Sequence, residues 1–414
     1  MGGSVFTSGA NALYTPRMPP VVYTAVRDRC HAILFGLFAL VATPVEGPGK
    51  ADFGDVDILM TLPHNEKTET SSLLHDAAMR LGAVRTSVVA HEGKASLAMP
   101  WPVDFLSQAP QDPESGDAHI QVDLTISPSI PRFHWALFKH AHGDLWNILG
   151  SAVLRPLGLT VDERALWLRV PEIEKAHRNR AKIFLTDEPA AVLHFLGLSV
   201  LDTDDFEGGS LWEKPFSSTT SLFAYATTSR FFLLPDYTTE SENAASGVTT
   251  DLSALKANDR RRLLYRPLFR QWATEYVPAL TTANFRGPQP PATRESVRDA
   301  AYAYFPGTEA QYEAARTSWL RERHLLAIRT AAKESVPAEL PSQYRGLVCS
   351  AVRKHLELVM DNNDGDNNAA EDSAAKWTVD GVKAHVAANW TAISEAVFPV
   401  EHAQYRASQE AKSA

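Results

Sequence analysis

Cysteine is scarce in this chain of 414 residues, which contains only two, Cys30 and Cys349. They lie far apart and form neither a CxxC pair nor a Cys/His spacing suited to a metal. The sequence therefore excludes a disulfide-rich scaffold and a zinc finger, and it favours a reducing compartment, the cytoplasm or the nucleus. The GxGxxG, Walker-type and GxSxG patterns are also missing, so these familiar catalytic motifs do not explain the chain.

Long apolar runs and an excess of positive charge are missing as well. The longest apolar stretch, residues 32–42, is much shorter than a membrane-spanning helix, and no charged leader precedes it, so we expect no membrane partner. The formal net charge of −9 argues against a protein that coats nucleic acid by bulk electrostatics. Arginines at 260–262, 266 and 270 could still hold RNA or a triphosphate, although we interpret them mainly as a solvated face.

The composition is that of an ordinary globular protein, with 44% hydrophobic and 21% charged residues. A chain of this length exceeds one ordinary core, so we expect two domains. We predict an α+β fold in which residues 1–172 form a mixed-sheet domain and residues 173–414 form a mostly helical domain. The boundary is placed near Glu172, where the charge density rises. Segments 236–250 and 361–375 are predicted to be flexible.

The N-terminal elements are predicted from apolar spacing and turn residues. Strand 118–126 is the clearest, because Ile120, Val122 and Leu124 alternate with polar residues. The other predicted elements are a helix at 21–38, strands at 39–45 and 55–62, a helix at 70–83 that Gly82 ends, a hairpin at 84–101 and a candidate strand at 165–170.

Two aspartates stand one residue apart at the start of an apolar strand, in "KADFGDVDILM". Because side chains alternate along a strand, Asp55 and Asp57 project to the same side, and Gly54 leaves room close to the backbone. Asp123 lies on the polar face of strand 118–126. If the two strands are neighbours, three carboxylates converge on one place, which suits a hard cation such as Mg²⁺ or Mn²⁺. Two such ions support phosphoryl or nucleotidyl transfer.

The segment "FGDVDILM", preceded by a helix and a strand and followed by "IQVDLTI", resembles the nucleotidyltransferase superfamily of DNA polymerase beta. Within it, the chain is similar to a group of phage, bacterial and fungal nucleotidyltransferases. The resemblance implies that Asp55 and Asp57 bind both metals, and that Asp123 binds the metal at the attacking hydroxyl and helps to take its proton. It also implies a nucleoside triphosphate (NTP) as substrate, with RNA, a protein or a small molecule as acceptor.

The turn before the acids departs from that superfamily, which usually has a Gly-Ser pair there to hold the phosphates. This chain has "EGPGKADFG", with no serine. Lys50 in this turn could neutralise phosphate charge, and the glycines around it would let backbone N–H groups approach. The resemblance also places Arg17 and the pair Gly2-Gly3 near the site, although we interpret the two glycines as flexibility.

Three interpretations follow. The leading one is a metal-dependent nucleotidyltransferase that moves a nucleoside monophosphate from an NTP to a hydroxyl, with the helical domain closing over the nucleotide. The second is a catalytically inactive module that binds a nucleotide or a partner on the same fold, which the missing serine favours. The third is an interaction protein whose acids form only a solvated strand end, and it requires Asp123 to lie far from Asp57. A zinc site at His134, His140 and His142 is not expected, because these residues do not share a helix face.

Overall fold

The computed structural model describes residues 3–9, 11–110, 117–200, 211–234, 257–361 and 377–413. The chain divides into two compact units, the first with Met1–Glu174 and Arg178–Glu309 and the second with Lys175–His177 and Ala310–Ala414. The predicted boundary near Glu172 falls inside the first unit. Residues 178–309, which follow that boundary, belong to the same unit as the N-terminal sheet. The segments predicted to be flexible lie outside the described residues, apart from residue 361.

The strands of the first unit form two separate sheets. The described strands are β1 (Phe38–Ala42), β2 (Asp55–Pro63), β3 (Arg85–Val89), β4 (Lys94–Pro100), β5 (His119–Ile126), β6 (Leu159–Val161), β7 (Leu166–Arg169) and β8 (Lys182–Thr186). The larger sheet has the order β1-β2-β5-β4-β3 and is mixed, because β2 and β5 run parallel and the other neighbours are antiparallel. The smaller sheet has the order β6-β7-β8 and is antiparallel.

Helices account for most of the remaining described structure. In chain order they are α1 (Pro20–Leu34), α2 (Thr70–Leu81), α3 (Ile130–His140), α4 (Leu145–Leu149), α5 (Pro171–Glu174), α6 (Pro189–Leu196), α7 (Thr219–Thr227), α8 (Ala257–Tyr265), α9 (Pro267–Gln271), α10 (Val277–Thr282), α11 (Arg294–Tyr304), α12 (Thr308–Glu334), α13 (Ser342–Asp361), α14 (Val379–Val397) and α15 (Pro399–Ser413). None of the helices described here combines the length and the apolar character needed to cross a membrane.

The predicted α+β class and the N-terminal mixed sheet are confirmed. The hairpin appears as β3 and β4, and α2 ends at Gly82, whose φ of +76° is the left-handed conformation that glycine adopts at helix ends. The first helix ends at Leu34, earlier than predicted. The candidate strand at 165–170 is β7, but its sheet was not predicted, because β6 and β8 are too short to show a clear alternation.

The core of the larger sheet fixes which way the acids face. Val56 and Ile58 of β2 and Val122 and Leu124 of β5 are buried in one cluster with apolar residues of α1 and α2. Side chains alternate along a strand, so Asp57, between Val56 and Ile58, and Asp123, between Val122 and Leu124, point to the opposite face of the sheet. A slip of one residue would expose the whole apolar set, and burial therefore fixes the register.

The second unit has a core of its own. Val348 and Val352 of α13 pack with Val382 and Val386 of α14, and all four are buried. Two half-buried histidines join these helices, since Nε2 of His355 on α13 is 3.2 Å from Nε2 of the histidine at position 385 on α14.

Candidate acid site

Two parallel strands bring the three predicted acids to one place. In the β2–β5 pairing, Asp57 lies opposite Asp123, and Asp55 lies opposite Gln121. Neighbouring strands are about 4.8 Å apart, so the side chains of an opposed pair stand next to each other on one face. The condition that the two strands are neighbours is therefore met. The third interpretation required Asp123 to lie far from Asp57, and the register places the two residues side by side.

Negative charge accumulates on this face. Burial raises the pKa of Asp55 to about 7, and the charges of Asp57 and Asp123 add to the rise. Burial also raises the pKa of Asp57, again with contributions from Asp123 and from Glu46. The side chain of Asp57 is nonetheless exposed to solvent. Carboxylates this close oppose each other's ionisation unless a cation compensates them.

One oxygen of Asp123 lacks a partner. Its Oδ2 accepts a hydrogen bond from Nε2 of Gln121 at 2.9 Å, whereas Oδ1 is buried and has no hydrogen-bond donor among the described residues. Buried polar atoms are nearly always paired in native structures. A buried carboxylate oxygen without a donor is therefore a place for a proton or a cation, and oxygen ligands are those that Mg²⁺ prefers.

The acids are adjacent without forming a finished metal site. Within the part of the chain that the structure describes, no three His, Cys, Asp or Glu side chains are arranged so that they could hold a metal ion as they stand. The strand register nevertheless places the three carboxylates on one face of the sheet, and their oxygen atoms are the ligands that a hard cation prefers. The residues therefore fit a hard cation by chemistry and by strand position.

The turn before β2 carries Lys50 to the edge of the acids. Its Nζ is 2.7 Å from a carboxylate oxygen of Glu46 and 4.5 Å from the centre of the Phe53 ring. Its charge opposes the rise in the pKa of both Asp55 and Asp57. Lys50 thus lies within electrostatic range of the acids, while its closest described partner is Glu46.

Arg17 and Gly54, the other two predicted site residues, contact different groups. Nε of Arg17 donates to Oδ1 of Asp52 at 2.8 Å, and Nη2 donates to the Asp52 carbonyl at 3.0 Å, so this guanidinium holds the turn. At Gly54 the backbone is approached by Gly3, because a Cβ built on Gly3 would lie 2.6 Å from the Gly54 carbonyl oxygen. Gly3 has φ +79° and is a position of close contact, not a flexible end, whereas Gly2 lies outside the described residues.

A histidine near the acids was missed by the sequence analysis. His140 is the last residue of α3, and its charge opposes the rise in the pKa of Asp57. Its Nε2 lies 3.1 Å from Oε2 of Glu163. From the sequence, this histidine was weighed only as a zinc ligand. Nothing in the local pattern indicates that α3 packs against β2 and brings the end of α3 to the acids.

The beginning of α7 also lies beside the turn. A Cβ built on Gly49 would be 3.4 Å from Cγ2 of Thr219, the first residue of that helix. Ser218 caps α7, since its hydroxyl accepts a hydrogen bond from the Ser221 N–H at 3.1 Å. The run "SSTT" before an apolar helix is a capping pattern, but only the folded chain places it next to Lys50.

The chain was then compared with known proteins. A scan against protein-family models finds no match, and a search of curated proteins finds no matching relative. No family is assigned. The acid motif, the strand register and the charges around them are the observations that support this site.

A cavity of about 380 Å³ lies elsewhere, between α12 and α13 of the second unit. Its wall includes Ile328, Val352 and Leu356 together with Cys349, and Arg329 is among its charged residues. The volume would admit a small ligand, but no group of carboxylates converges there. We therefore place the candidate functional site at the acids of β2 and β5.

Proposed function

We propose that the chain is a metal-dependent nucleotidyltransferase that moves a nucleoside monophosphate from an NTP to a hydroxyl acceptor. One observation carries the proposal: Asp57 and Asp123 are opposed on parallel strands, with Asp55 two residues away, and a buried oxygen of Asp123 has no donor within the described part of the chain. Solvated surface acids would be expected to separate and to titrate normally, whereas burial and mutual repulsion raise the pKa of Asp55 to about 7.

The three acids would have different tasks. Asp55 and Asp57 would hold both cations, and Asp123 would hold the cation at the acceptor hydroxyl and help to take the hydroxyl proton as the new O–P bond forms at the α-phosphorus. The bond from that phosphorus to the pyrophosphate breaks in the same displacement, and pyrophosphate leaves. Bound Mg²⁺ would supply activation of the acceptor oxygen and charge stabilisation at the leaving oxygen.

The phosphates would be held by groups around the turn before β2. Lys50 supplies a positive charge close to Asp55 and Asp57, and the N-terminal end of α7 lies next to the same turn at Gly49. The first N–H groups of a helix and its dipole favour an anion. These groups would take the place of the Gly-Ser pair that the turn lacks.

Release of pyrophosphate tests this proposal. With each NTP, Mg²⁺ and a mixture of cellular acceptors, the wild-type chain should release pyrophosphate, and Asp57→Asn should abolish the release because a cation ligand is lost. Asp28→Asn is the matched control, since Asp28 is an exposed carboxylate on α1 and its loss should leave turnover unchanged. Equal turnover in Asp57→Asn and the wild type would refute the mechanism.

A second function is favoured by two observations, the missing serine in the turn and the lack of a finished three-ligand site within the described residues. In this alternative the chain binds a nucleotide or a partner without turning it over. Calorimetry with an NTP and Mg²⁺ separates the two functions. Binding that depends on Asp57 without any pyrophosphate would favour the inactive module, and binding with pyrophosphate release would favour the enzyme.

A further inference from the structure

A buried glutamine connects the third acid to the N-terminal arm, which we define as the described residues 3–9 and 11–18. Gln121 is only 2% exposed. Its Nε2 donates to Oδ2 of Asp123 at 2.9 Å, and its Oε1 accepts a hydrogen bond from the backbone N–H of Val5 at 3.0 Å. An amide that is hydrogen-bonded at both ends has a fixed orientation. If it were turned over, its NH₂ would face the Val5 N–H, donor against donor, and its oxygen would face Oδ2 of Asp123, acceptor against acceptor.

The arm that orients this glutamine is itself fixed to the site. Met18 is fully buried and exchanges backbone hydrogen bonds of 2.7 and 2.9 Å with Phe53, two residues before β2. The Tyr14 carbonyl accepts from the N–H of His119 at the start of β5 at 2.8 Å. The arm therefore runs across the beginnings of both acid-bearing strands, and the Val5 N–H is a positioned donor, not part of a loose end.

The chemistry of the link suits a carboxylate that must bind a cation. An arginine or lysine at position 121 would neutralise Asp123 and compete with a metal. A neutral amide holds only one oxygen of Asp123 and leaves its charge in place, so Oδ1 stays available. Residues that hydrogen-bond a metal-ligating side chain orient that side chain, and their loss weakens metal binding about 10- to 100-fold.

We propose that Gln121 is a positioning residue through which the N-terminal arm sets the carboxylate of Asp123 for cation binding. The inference rests on the proposed function, because it assumes that a divalent cation binds at the acids. It adds a role for the described residues of the arm, which the acid motif does not include. The arm is thus part of the site, although its own residues would not touch the reacting atoms.

Binding of Mn²⁺ to the full chain, followed by the paramagnetic resonance signal of the free ion, tests this role without relying on turnover. Gln121→Met keeps the length of the side chain but removes both hydrogen bonds, and it should weaken Mn²⁺ binding about 10- to 100-fold. Val5→Pro removes the donated N–H of the arm, while also fixing φ at this residue, and it should weaken Mn²⁺ binding in the same direction by a smaller factor. In both variants the KM for NTP should change less than kcat.

The control is Val122→Ala, which lies on the same strand and is fully buried on the opposite face. It destabilises the sheet without touching Asp123, so it should leave Mn²⁺ affinity within about twofold of the wild type. If Gln121 had only a structural role, Gln121→Met and Val122→Ala variants that lose the same stability would lose the same Mn²⁺ affinity. Unchanged Mn²⁺ affinity in Gln121→Met would overturn the positioning role alone. A wild-type chain with no Mn²⁺ binding that depends on Asp57 would overturn the proposed function as well.

Discussion

Replacing Asp55 with asparagine should stabilise the metal-free chain at pH 8. Burial and two neighbouring carboxylates raise the pKa of Asp55 from 3.8 to about 7, so holding this group ionised in the folded chain costs at most about 4 kcal/mol. The side chain is half-buried, and water screens part of the repulsion. We therefore expect Asp55→Asn to raise the free energy of unfolding by about 1–3 kcal/mol at pH 8.

The gain should depend on pH in a definite direction. A group with a raised pKa in the folded state contributes stability that is fully present below its unfolded pKa of 3.8 and is lost as the pH rises through about 7. The difference between Asp55→Asn and the wild type should therefore be small at pH 4 and largest at pH 8. Adding Mg²⁺ should stabilise the wild type and remove most of the difference, because the cation compensates the same charge.

Urea unfolding at pH 4, 6 and 8, with and without Mg²⁺, measures this difference directly. Asp28→Asn is the control, since that exposed carboxylate should change stability little at any of the three pH values. A lower free energy of unfolding for Asp55→Asn at pH 8, or an equal effect at pH 4 and pH 8, would contradict the raised pKa of Asp55.

Three further predictions concern groups around and beyond the acids. Lys50→Gln should raise the KM for NTP about tenfold, the effect of about 1.4 kcal/mol, and an unchanged KM in steady-state assays would remove Lys50 from the phosphate site. Burial and the neighbouring histidine on α14 lower the pKa of His355, so the stability that depends on this group is full above pH 6.5 and is lost as the pH falls below that value. The melting temperature should therefore change less with pH between pH 5 and 7.5 in His355→Asn than in the wild type, and an identical pH dependence would contradict this. Arg266→Ala removes the guanidinium that lies 2.6 Å from Oδ1 of the buried Asp144 and leaves only Nδ2 of Asn147, at 2.9 Å, among the described side-chain donors to that oxygen. This should cost about 1.5–3 kcal/mol in urea unfolding. Adding Asp144→Asn to Arg266→Ala should recover part of the lost stability. If the stability losses of the two single variants simply add in the double variant, the Arg266–Asp144 ion pair does not contribute to stability.

The strands that carry the acids could be predicted because their patterns are local. Val122 and Leu124 alternate with polar residues along β5, and "DVDILMTL" predicted β2 to within a residue of its observed end. Whether two such strands are neighbours is a long-range property, and neither strand contains information about its partner. The resemblance supplied that expectation, and the parallel register of Asp57 with Asp123 meets it.

The surroundings of the acids could not be predicted in the same way. Arg17 was expected near the phosphates, but it pairs with Asp52 in the adjoining turn, and charge alone does not indicate which acid an arginine will choose. Gly2 and Gly3 were interpreted as flexibility, yet Gly3 lies in close contact with the Gly54 carbonyl, and Met18 pairs with Phe53 near the start of β2. His140 reaches the site only through the packing of α3, which periodicity does not reveal.

The most direct test of the central claim is a crystal structure of the chain with Mn²⁺ and a non-hydrolysable NTP, with the ion located by its anomalous scattering. We predict Mn²⁺ at about 2.1 Å from carboxylate oxygens of Asp57 and Asp123, with Oδ1 of Asp123 among its ligands and Gln121 still bonded to Oδ2. A nucleotide bound with no ion at these carboxylates, or an ion bound elsewhere while Asp123 keeps its present contacts, would contradict the account.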